Sequence, residues 1–238
     1  MATVHCPSTI TDKSRSNPLL MTRILASILP SIAALLLLAA STVAQQLQPI
    51  QLPPAQTSGG KPLMETLRTR RTAREFNTEK LSPQVLANLL WAGFGINRSQ
   101  TGQRTAPSAM NSQEIDIYVA LAEGLFVYDA TQHQLKQVMA GDIRAKAGGQ
   151  ETFKAAPLTL IYVADLAKLA KAPPDTRRFY AGFDAGCICQ NVYLYCASEG
   201  LATVAHDLNR STLTEAMKLK PDQEIILAQA VGFPKPTP

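Results

Sequence analysis

The sequence lacks a strong excess of charge and the motifs of several common enzyme classes. Its 23 basic and 18 acidic residues leave a net charge of +5, too small and too scattered to indicate a nucleic-acid-binding protein. No G-x-x-x-x-G-K-[ST] and no G-x-S-x-G segment occurs, which disfavours P-loop enzymes and α/β-hydrolases. No repeat with a period of 20–50 residues is present, so a solenoid is excluded.

Cysteine and histidine are also scarce. Four cysteines in 238 residues are too few for a disulfide scaffold. Beyond the predicted leader described below, Cys187, Cys189 and Cys196 remain, and an odd number cannot all pair internally. With only His133 and His206 in the same part of the chain, the cysteines are interpreted as small buried side chains, and no metal site is predicted.

The chain does contain enough apolar material for a packed core, since 46% of its residues are hydrophobic and 17% are charged. Its first 44 residues have the pattern of a secretory signal peptide. Basic residues precede the apolar run ILASILPSIAALLLLAA at 24–40, and the small-residue site STVA follows at 41–44. We predict cleavage after Ala44 and export, in a bacterium to the periplasm. An uncleaved membrane tether is the alternative, because the apolar run approaches the length of a spanning helix.

The rest of the chain is predicted to be one α+β domain at 61–238, behind an extended Pro/Gln-rich linker at 45–60. Helical periodicity and start signals predict helices at about 61–71, from Pro83 with Ser82 as N-cap, and over 177–199. The last is apolar nearly all round, which predicts burial in a core or against a second subunit. A further helix is predicted after 207, capped by Ser211 or Thr212.

The strand pattern predicts a sheet of four or five strands in mixed order. Residues 115–121 and 125–129 are predicted to form a hairpin, and the apolar run at 157–165 to be a strand covered on both faces. Further strands are predicted just after Gly200 and at 225–233. Residues 96–113 are predicted to be a long polar loop, of a length that is usually functional.

Two of four candidate segments have the chemistry of a recognition site. Four arginines lie within seven residues in RTRRTAREF at 68–76, and guanidinium groups beside a hydroxyl suit a phosphate. A solvated basic face is the alternative. The loop PSAMNSQ at 107–113 offers hydroxyl and amide groups that suit the edge of a heterocycle, and an ordinary turn is the alternative.

The other two candidate segments follow later in the chain. Asp184 and Gly186 lie on the long apolar helix, where polar groups can simply be satisfied within a core. The segment GLATVAHD at 200–207 is a glycine turn followed by a strand that ends in polar residues. Its single histidine has no accompanying nucleophile motif.

In their order and spacing, these segments resemble the flavin-dependent nitroreductase family, in particular its SagB/ThcOx-type dehydrogenase branch. The family begins with an Arg-rich stretch ending in Arg/Lys-x-Phe and continues with a Pro-Ser-small-x-Asn-x-Gln loop, here at 68–76 and 107–113. An acidic-x-Gly helix then runs into Gly-Leu, here at 184–204, and the domain ends in Gly-aromatic-Pro, here VGFPK at 231–235. The resemblance covers about residues 61–236.

The resemblance implies a nitroreductase fold, in which a mixed, mostly antiparallel central sheet is flanked by helices. It also implies an intertwined homodimer with two FMN molecules at the subunit interface. By their positions in the motifs, the residues implied to hold the FMN phosphate and ribityl chain are Arg70, Arg71, Thr72, Arg74 and Lys235. Those implied to line the isoalloxazine from the other subunit are Pro107, Ser108, Ala109 and Asn111. Those implied to lie near the flavin ring are Ala205, His206 and Asp207.

The implied activity is that of an FMN-dependent oxidoreductase that cycles hydride through flavin N5 by a ping-pong mechanism. Its partners would be a small-molecule electron donor of NAD(P)H type and an acceptor such as a nitroaromatic or a quinone. No protein side chain is assigned as a catalytic acid or base, because the chemistry belongs to the flavin. A non-catalytic flavin-binding protein and an FMN-fragmenting relative remain the alternatives.

The sequence differs from this branch in two features, which limit the substrates and the export route that are expected. Its azoline-oxidising members are associated with a Lys-Tyr pair, and this chain contains no Lys-Tyr dipeptide, so oxidation of peptide heterocycles is not expected. No twin arginine precedes the apolar core of the leader, which predicts export in an unfolded form and FMN loading after export.

Overall fold

The computed structural model describes residues 49–147 and 156–236. The predicted signal peptide lies outside these residues. Within the described ranges, no helix is both long enough and apolar enough to cross a membrane. The helices are α1 (Leu63–Thr69), α2 (Pro83–Phe94), α3 (Arg144–Ala147), α4 (Arg177–Glu199) and α5 (Arg210–Met217). The strands are β1 (Ile50–Gln51), β2 (Ile96–Arg98), β3 (Gln103–Arg104), β4 (Ile115–Leu121), β5 (Gly124–Asp129), β6 (Gln134–Ala140), β7 (Leu158–Asp165), β8 (Ala202–His206) and β9 (Gln223–Gly232).

Seven of these strands form one sheet in the order β1-β6-β5-β4-β7-β9-β8, and every neighbouring pair is antiparallel. The α+β class and the mixed strand order are confirmed, whereas the expected number of four or five strands was too small. Strand β6 was missed because its sequence, QLKQVMA, does not alternate clearly between apolar and polar residues. Strand β1 was missed because it is only two residues long and precedes a proline pair.

The sheet separates two apolar layers, as the alternation of side chains along β7 shows. Leu160 and Tyr162 point to one face and pack with α2 and α4. Ile161 and Val163 point to the other face and pack with Leu213 of α5. Since all these side chains are fully buried, the prediction that this strand is covered on both faces is confirmed.

Helix α4 has the predicted bounds and ends at Gly200, which adopts a left-handed conformation with φ 72°. One side of the helix is buried against the sheet and α2, including Ile188 and Val192. On the opposite side, Phe179 and Phe183 are 70% and 58% exposed. Within one chain, the expected burial therefore holds for one side of α4 only.

Three local predictions are corrected by the structure. The linker is extended at its described end but is packed on the domain there, because β1 pairs with β6 and Leu52 is 3% exposed. The polar segment 96–113 contains the β2–β3 hairpin and a 3-10 turn at Ala109–Asn111. The N-cap of α5 is Asn209 rather than Ser211 or Thr212, since its side-chain Oδ1 accepts the Thr212 N–H at 3.2 Å.

Candidate functional site

The arginine-rich segment is an extended strap, residues 70–76, which we name the arginine strap. It begins where α1 ends and runs beside the last two strands of the sheet. The Ala73 N–H donates to the Thr203 carbonyl of β8 at 3.0 Å, and buried Phe76 forms a β-bridge with Pro234. Gly232 makes this approach possible, because a Cβ there would lie 2.5 Å from Pro157 and 3.3 Å from the Phe76 ring.

The strap gathers cations at one end of the sheet. The Lys235 N–H donates to the Glu75 carbonyl at 3.2 Å, which places Lys235 beside the strap arginines. Arg71, Arg74 and Lys235 are exposed. Neither they nor Arg70 forms an ion pair with any residue that the structure describes. A group of cations without ion-pair partners in the described part of the chain is suited to an anionic ligand.

Tyr193 of α4 connects the strap to the end of β8. Its hydroxyl accepts the Ala205 N–H at 2.8 Å and lies 3.3 Å from the Thr72 hydroxyl. The Arg70 guanidinium lies 5.3 Å from the centre of its ring, a cation–π distance. The structure thus brings the predicted residues Arg70, Thr72 and Ala205 together around a residue that the sequence analysis missed. The available signal was a tyrosine hydroxyl, needing a partner, on an otherwise apolar helix.

The end of β8 is polar but partly committed to internal contacts. His206 Nδ1 lies 2.9 Å from the Asp207 carbonyl oxygen, and burial lowers the pKa of this histidine. The Asp207 carboxylate accepts from Arg210 at 2.6 Å. A hydrogen bond from the Leu208 backbone and the Arg210 contact lower the pKa of Asp207. Asp207 is therefore committed to α5, while Ala205 and His206 adjoin the strap.

The predicted recognition loop at 107–113 is held in a strained conformation. Met110, Asn111 and Gln113 have φ values of 54°, 53° and 47°, in the left-handed region that non-glycine residues rarely adopt. The Ser108 hydroxyl accepts the Gln113 N–H at 2.7 Å and closes the loop. Side-chain contacts from elsewhere in the chain must stabilise this conformation.

Two buried carboxyl groups provide those contacts. The Ser108 hydroxyl donates to Glu114 Oε2 at 3.1 Å, and the Ala109 N–H donates to Asp184 Oδ2 at 2.7 Å. Glu114 is 0% and Asp184 is 1% exposed. Burial, together with the neighbouring Asp184 charge, raises the pKa of Glu114 to about 7. Asp184 thus has a definite role in holding the loop.

Within one chain, the loop and the strap form two separate clusters. Helix α4 anchors the loop through Asp184 and the strap through Tyr193. These residues are nine positions apart, so a rise of 1.5 Å per residue separates them by about 13 Å along the helix. The predicted residues Pro107, Ser108, Ala109 and Asn111 therefore belong to one cluster, and Arg70, Thr72 and Ala205 belong to the other.

An apolar surface lies next to these clusters. On α4, Phe179 and Phe183 are exposed, and Cβ atoms added at Gly182 and Gly186 would meet nothing within 4 Å. Helix α1 presents a further exposed group, which comprises Leu63, Met64 and Leu67. Exposed apolar side chains of this kind, in two groups on two helices, are typical of protein–protein contact surfaces.

The cysteines and metal-binding residue types add no second site. Cys189 and Cys196 are buried, as predicted, and Cys187 is half-buried. Burial raises the pKa of Cys189 to about 11, so its thiol is unreactive at neutral pH. Over the described ranges, no three His, Cys, Asp or Glu side chains converge as a metal site.

Comparisons with known proteins agree on one family. The family model described as "Nitroreductase family" matches residues 67–233. A curated protein of Methanocaldococcus jannaschii that carries the name nitroreductase is 30% identical over 153 residues, which cover 60% of this chain and 77% of that protein.

Solved structures extend this similarity to the fold. A crystal structure from Ralstonia eutropha, also named as a nitroreductase, is 41% identical with a TM-score of 0.77 and covers 82% of this chain and 93% of its own. The Escherichia coli microcin synthetase McbBCD complex contains a chain that is 16% identical with a TM-score of 0.61, over 80% of each chain. The second comparison shows the shared fold alone. The predicted nitroreductase fold is confirmed.

Proposed function

The chain belongs to the nitroreductase family of oxidoreductases, and from that premise we propose that it is an FMN-dependent enzyme. It takes reducing equivalents from a small-molecule donor and passes them to a small acceptor such as a nitroaromatic or a quinone. The observation that carries this proposal is the unneutralised cation group of the arginine strap and Lys235. Bound FMN would supply the redox chemistry, by accepting a hydride at its N5 atom.

The donor set around the strap fits the phosphate end of FMN. Forked guanidinium donors of Arg70, Arg71 and Arg74 match phosphate oxygens, and Lys235 adds a point charge. The Thr72 hydroxyl, 3.3 Å from that of Tyr193, supplies a neutral donor at the same place. These groups would bind and orient the cofactor.

The end of β8 fits the flavin ring. In this proposal, the segment 205–207 lies at the ring edge, and the Tyr193 hydroxyl holds this backbone in place by accepting the Ala205 N–H. Hydrogen-bond donors at the ring edge would stabilise the charge of the reduced cofactor. Tyr193 is thus a positioning residue, since its contacts are with protein groups.

A homodimer completes the proposed site. The strap and the loop 107–113 are separated along α4, whereas a second copy packed on the exposed faces of α1 and α4 can supply its loop to this strap. Phe179, Phe183 and the open Gly182 and Gly186 positions provide the apolar, closely approachable surface that such packing needs. The partner's Pro107, Ser108, Ala109 and Asn111 would then line the isoalloxazine.

Two finer points complete the proposal. The order of the motifs favours the SagB/ThcOx-type branch, although the missing Lys-Tyr pair disfavours peptide azoline substrates. The leader at 1–44 favours export, so we propose an extracytoplasmic enzyme that acquires FMN after export.

The decisive experiment is to purify the chain from Gln45 onward and titrate it with FMN. We expect a yellow dimer that is bleached anaerobically by NADH, NADPH or dithionite and recovers its colour with a quinone or a nitroaromatic. A colourless protein that does not bind FMN at micromolar concentration would refute the assignment of FMN as the cofactor. A flavin that no pyridine nucleotide reduces would favour a carrier, and net loss of FMN would favour fragmentation.

The assignment of the strap arginines to the FMN phosphate is tested by comparing two double variants. The double variant Arg70→Ala with Arg74→Ala should bind FMN at least 100-fold more weakly, because charged hydrogen bonds contribute about 1.5–3 kcal/mol each. The control, Lys171→Ala with Lys220→Ala, removes the same charge from exposed positions away from the strap. If both double variants bind FMN equally well, the strap is not the phosphate site.

A further inference from the structure

The Glu114 and Asp184 side chains present an unusual pair of buried oxygens. Each carboxyl uses one oxygen to accept a hydrogen bond from the loop 107–113. Among the residues that the structure describes, the other two, Glu114 Oε1 and Asp184 Oδ1, are buried without a hydrogen-bond partner, and the Asp184 carboxyl is near enough to raise the pKa of Glu114. Two ionised carboxylates could not be buried in contact in this way, since desolvation and repulsion both oppose the second charge.

We propose that the Glu114 carboxyl retains a proton and donates it from Oε1 to Oδ1 of the Asp184 carboxylate, so that the pair acts as one clamp that positions the loop 107–113. We name this pair the carboxyl clamp. Its single proton completes a chain of hydrogen bonds that starts and ends on the loop. The Gln113 N–H donates to the Ser108 hydroxyl, which donates to Glu114. Glu114 donates to Asp184, which also accepts the Ala109 N–H.

The clamp explains how the loop keeps its strained backbone. Between Ser108 and Gln113, the chain passes through left-handed conformations at Met110 and Asn111, which are unfavourable for non-glycine residues. The clamp fixes both ends of this short segment against β4 and α4. Loss of the proton would place two like charges under the loop and weaken both attachments.

Few charged groups near the clamp can offset that second charge. Arg104 donates to the Gln113 side chain at 2.7 Å and to the Phe94 carbonyl at 3.0 Å, so its guanidinium is engaged with the loop rim. Asp165 of β7 gives only its backbone N–H, to the Glu114 carbonyl at 2.9 Å, and its carboxylate caps the Ala167 N–H. Cys187 is the remaining titratable group beside the clamp, and burial and the Asp184 charge raise its thiol pKa.

The remaining acidic group on β4 is engaged elsewhere. Asp116 forms an ion pair with Lys168 at 3.2 Å, which neutralises its charge. The proton on Glu114 is therefore retained through burial and through Asp184, and substitution of either clamp residue should change its titration.

The sign of the pH dependence follows from the raised pKa of Glu114. That pKa is about 7 in the folded protein, above the ordinary value of 4.5. The folded state binds more protons than the unfolded state between these values, so the contribution to stability is fully present below pH 4.5. It is lost as the pH rises through 7.

The first test measures the unfolding free energy in urea from pH 5 to pH 9, without reference to activity. Glu114→Gln mimics the protonated side chain, because its amide can accept from Ser108 and donate to Asp184 at every pH. We expect the wild type to lose stability progressively from pH 5 and to level off above about pH 7, and the Glu114→Gln variant to lack this transition. The exposed Glu215→Gln variant is the matched control and should follow the wild type.

A second variant tests the proposal independently if Glu114→Gln fails to fold. Asp184→Asn removes the charge that opposes ionisation of Glu114 and can donate its amide to Oε1, so the transition should shift to lower pH. The infrared band of a protonated carboxylic acid should be present in the wild type at pH 6 and absent from Glu114→Gln. Parallel stability profiles for wild type and Glu114→Gln, or an unchanged infrared band, would overturn the clamp.

The effect on the cofactor site rests on the proposed function and is read separately. With FMN bound, the visible spectrum of the wild-type flavin should change with a midpoint near pH 7, and Glu114→Gln should abolish that change. If the stability profiles differ as expected and FMN does not bind, the proposed function fails and the clamp stands. If FMN binds and its spectrum responds equally in both proteins, the clamp does not position the loop at the flavin.

Discussion

The arginine strap and the recognition loop are attached to the same helix in opposite ways. The strap carries exposed cations with no acidic partners in the described parts of the chain, and its attachments are mainly backbone hydrogen bonds and the Tyr193 hydroxyl. The loop is fixed by buried carboxyl groups whose hydrogen bonds are all internal once one proton is shared. The charged side chains of the strap therefore remain available to a ligand, whereas the polar groups of the loop are used to maintain its backbone conformation.

This difference predicts that changes at the loop anchor affect folding and that changes at the strap affect ligand binding. The distinction would be contradicted if substitutions at the loop anchor and at the strap each changed both the unfolding free energy and the affinity for FMN.

Asp184→Ala should have the largest effect, a loss of about 3 kcal/mol in the free energy of unfolding. It leaves the Ala109 N–H without its acceptor, and Glu114 keeps only its contact with the Ser108 hydroxyl. Urea denaturation at pH 6 measures the loss. The exposed Asp175→Ala variant is the control, and a loss below about 1 kcal/mol at Asp184 would contradict the buried network.

Arg74→Ala should weaken FMN binding by about 10-fold to 100-fold, which corresponds to one charge-assisted contact. Its unfolding free energy without FMN should stay within about 0.5 kcal/mol of the wild type, as for other exposed positions. Fluorescence titration with FMN gives the dissociation constant. A stability loss without a binding loss would make the strap a structural element.

Tyr193→Phe should lower the unfolding free energy by about 1 kcal/mol, because the Ala205 N–H loses its acceptor while the ring remains in place. The ring contact with Arg70 is retained, so phosphate affinity should fall by less than in Arg74→Ala. Combining calorimetry with the FMN titration separates these effects. Tyr180→Phe on the same helix serves as the comparison.

Asn111→Gly should have the smallest effect on folding, within about 0.5 kcal/mol. Glycine accepts the φ of 53° without strain, and the lost side chain accepts only from Gln113 at 3.2 Å. The visible spectrum of bound FMN should shift nevertheless, if the amide faces the ring of the partner's cofactor. An identical spectrum would remove Asn111 from the ring contacts.

The sequence predicted those elements whose signals are local. The Ser82-Pro83 start of α2, the bounds of α4 and the β4–β5 hairpin all follow from caps, periodicity or turn composition. Strands β1 and β6 were not predicted, because β1 is only two residues long and pairs with a distant strand, and the polar residues of β6 interrupt its apolar pattern.

The same distinction applies to the site. The motifs identified the strap and the loop, because clustered arginines and a Pro-Ser-amide loop are visible in a linear sequence. Tyr193 and Glu114 were missed, because their roles depend on what the fold places beside them. From the sequence alone, a tyrosine on an apolar helix is expected to be an ordinary core residue, and a glutamate before a strand is expected to be a surface residue. The structure instead shows the Tyr193 hydroxyl bound to the Ala205 N–H and Glu114 fully buried.

Helix α4 also fixes the angle about its axis between the two residues that anchor the loop and the strap. Asp184 and Tyr193 are held on it at a fixed rise and rotation, and each residue turns the helix by about 100°. Deleting one residue between them would swing Tyr193 away from the strap while leaving the composition of the helix almost unchanged. The number of residues between these anchors is therefore as much a determinant of the site as their identity.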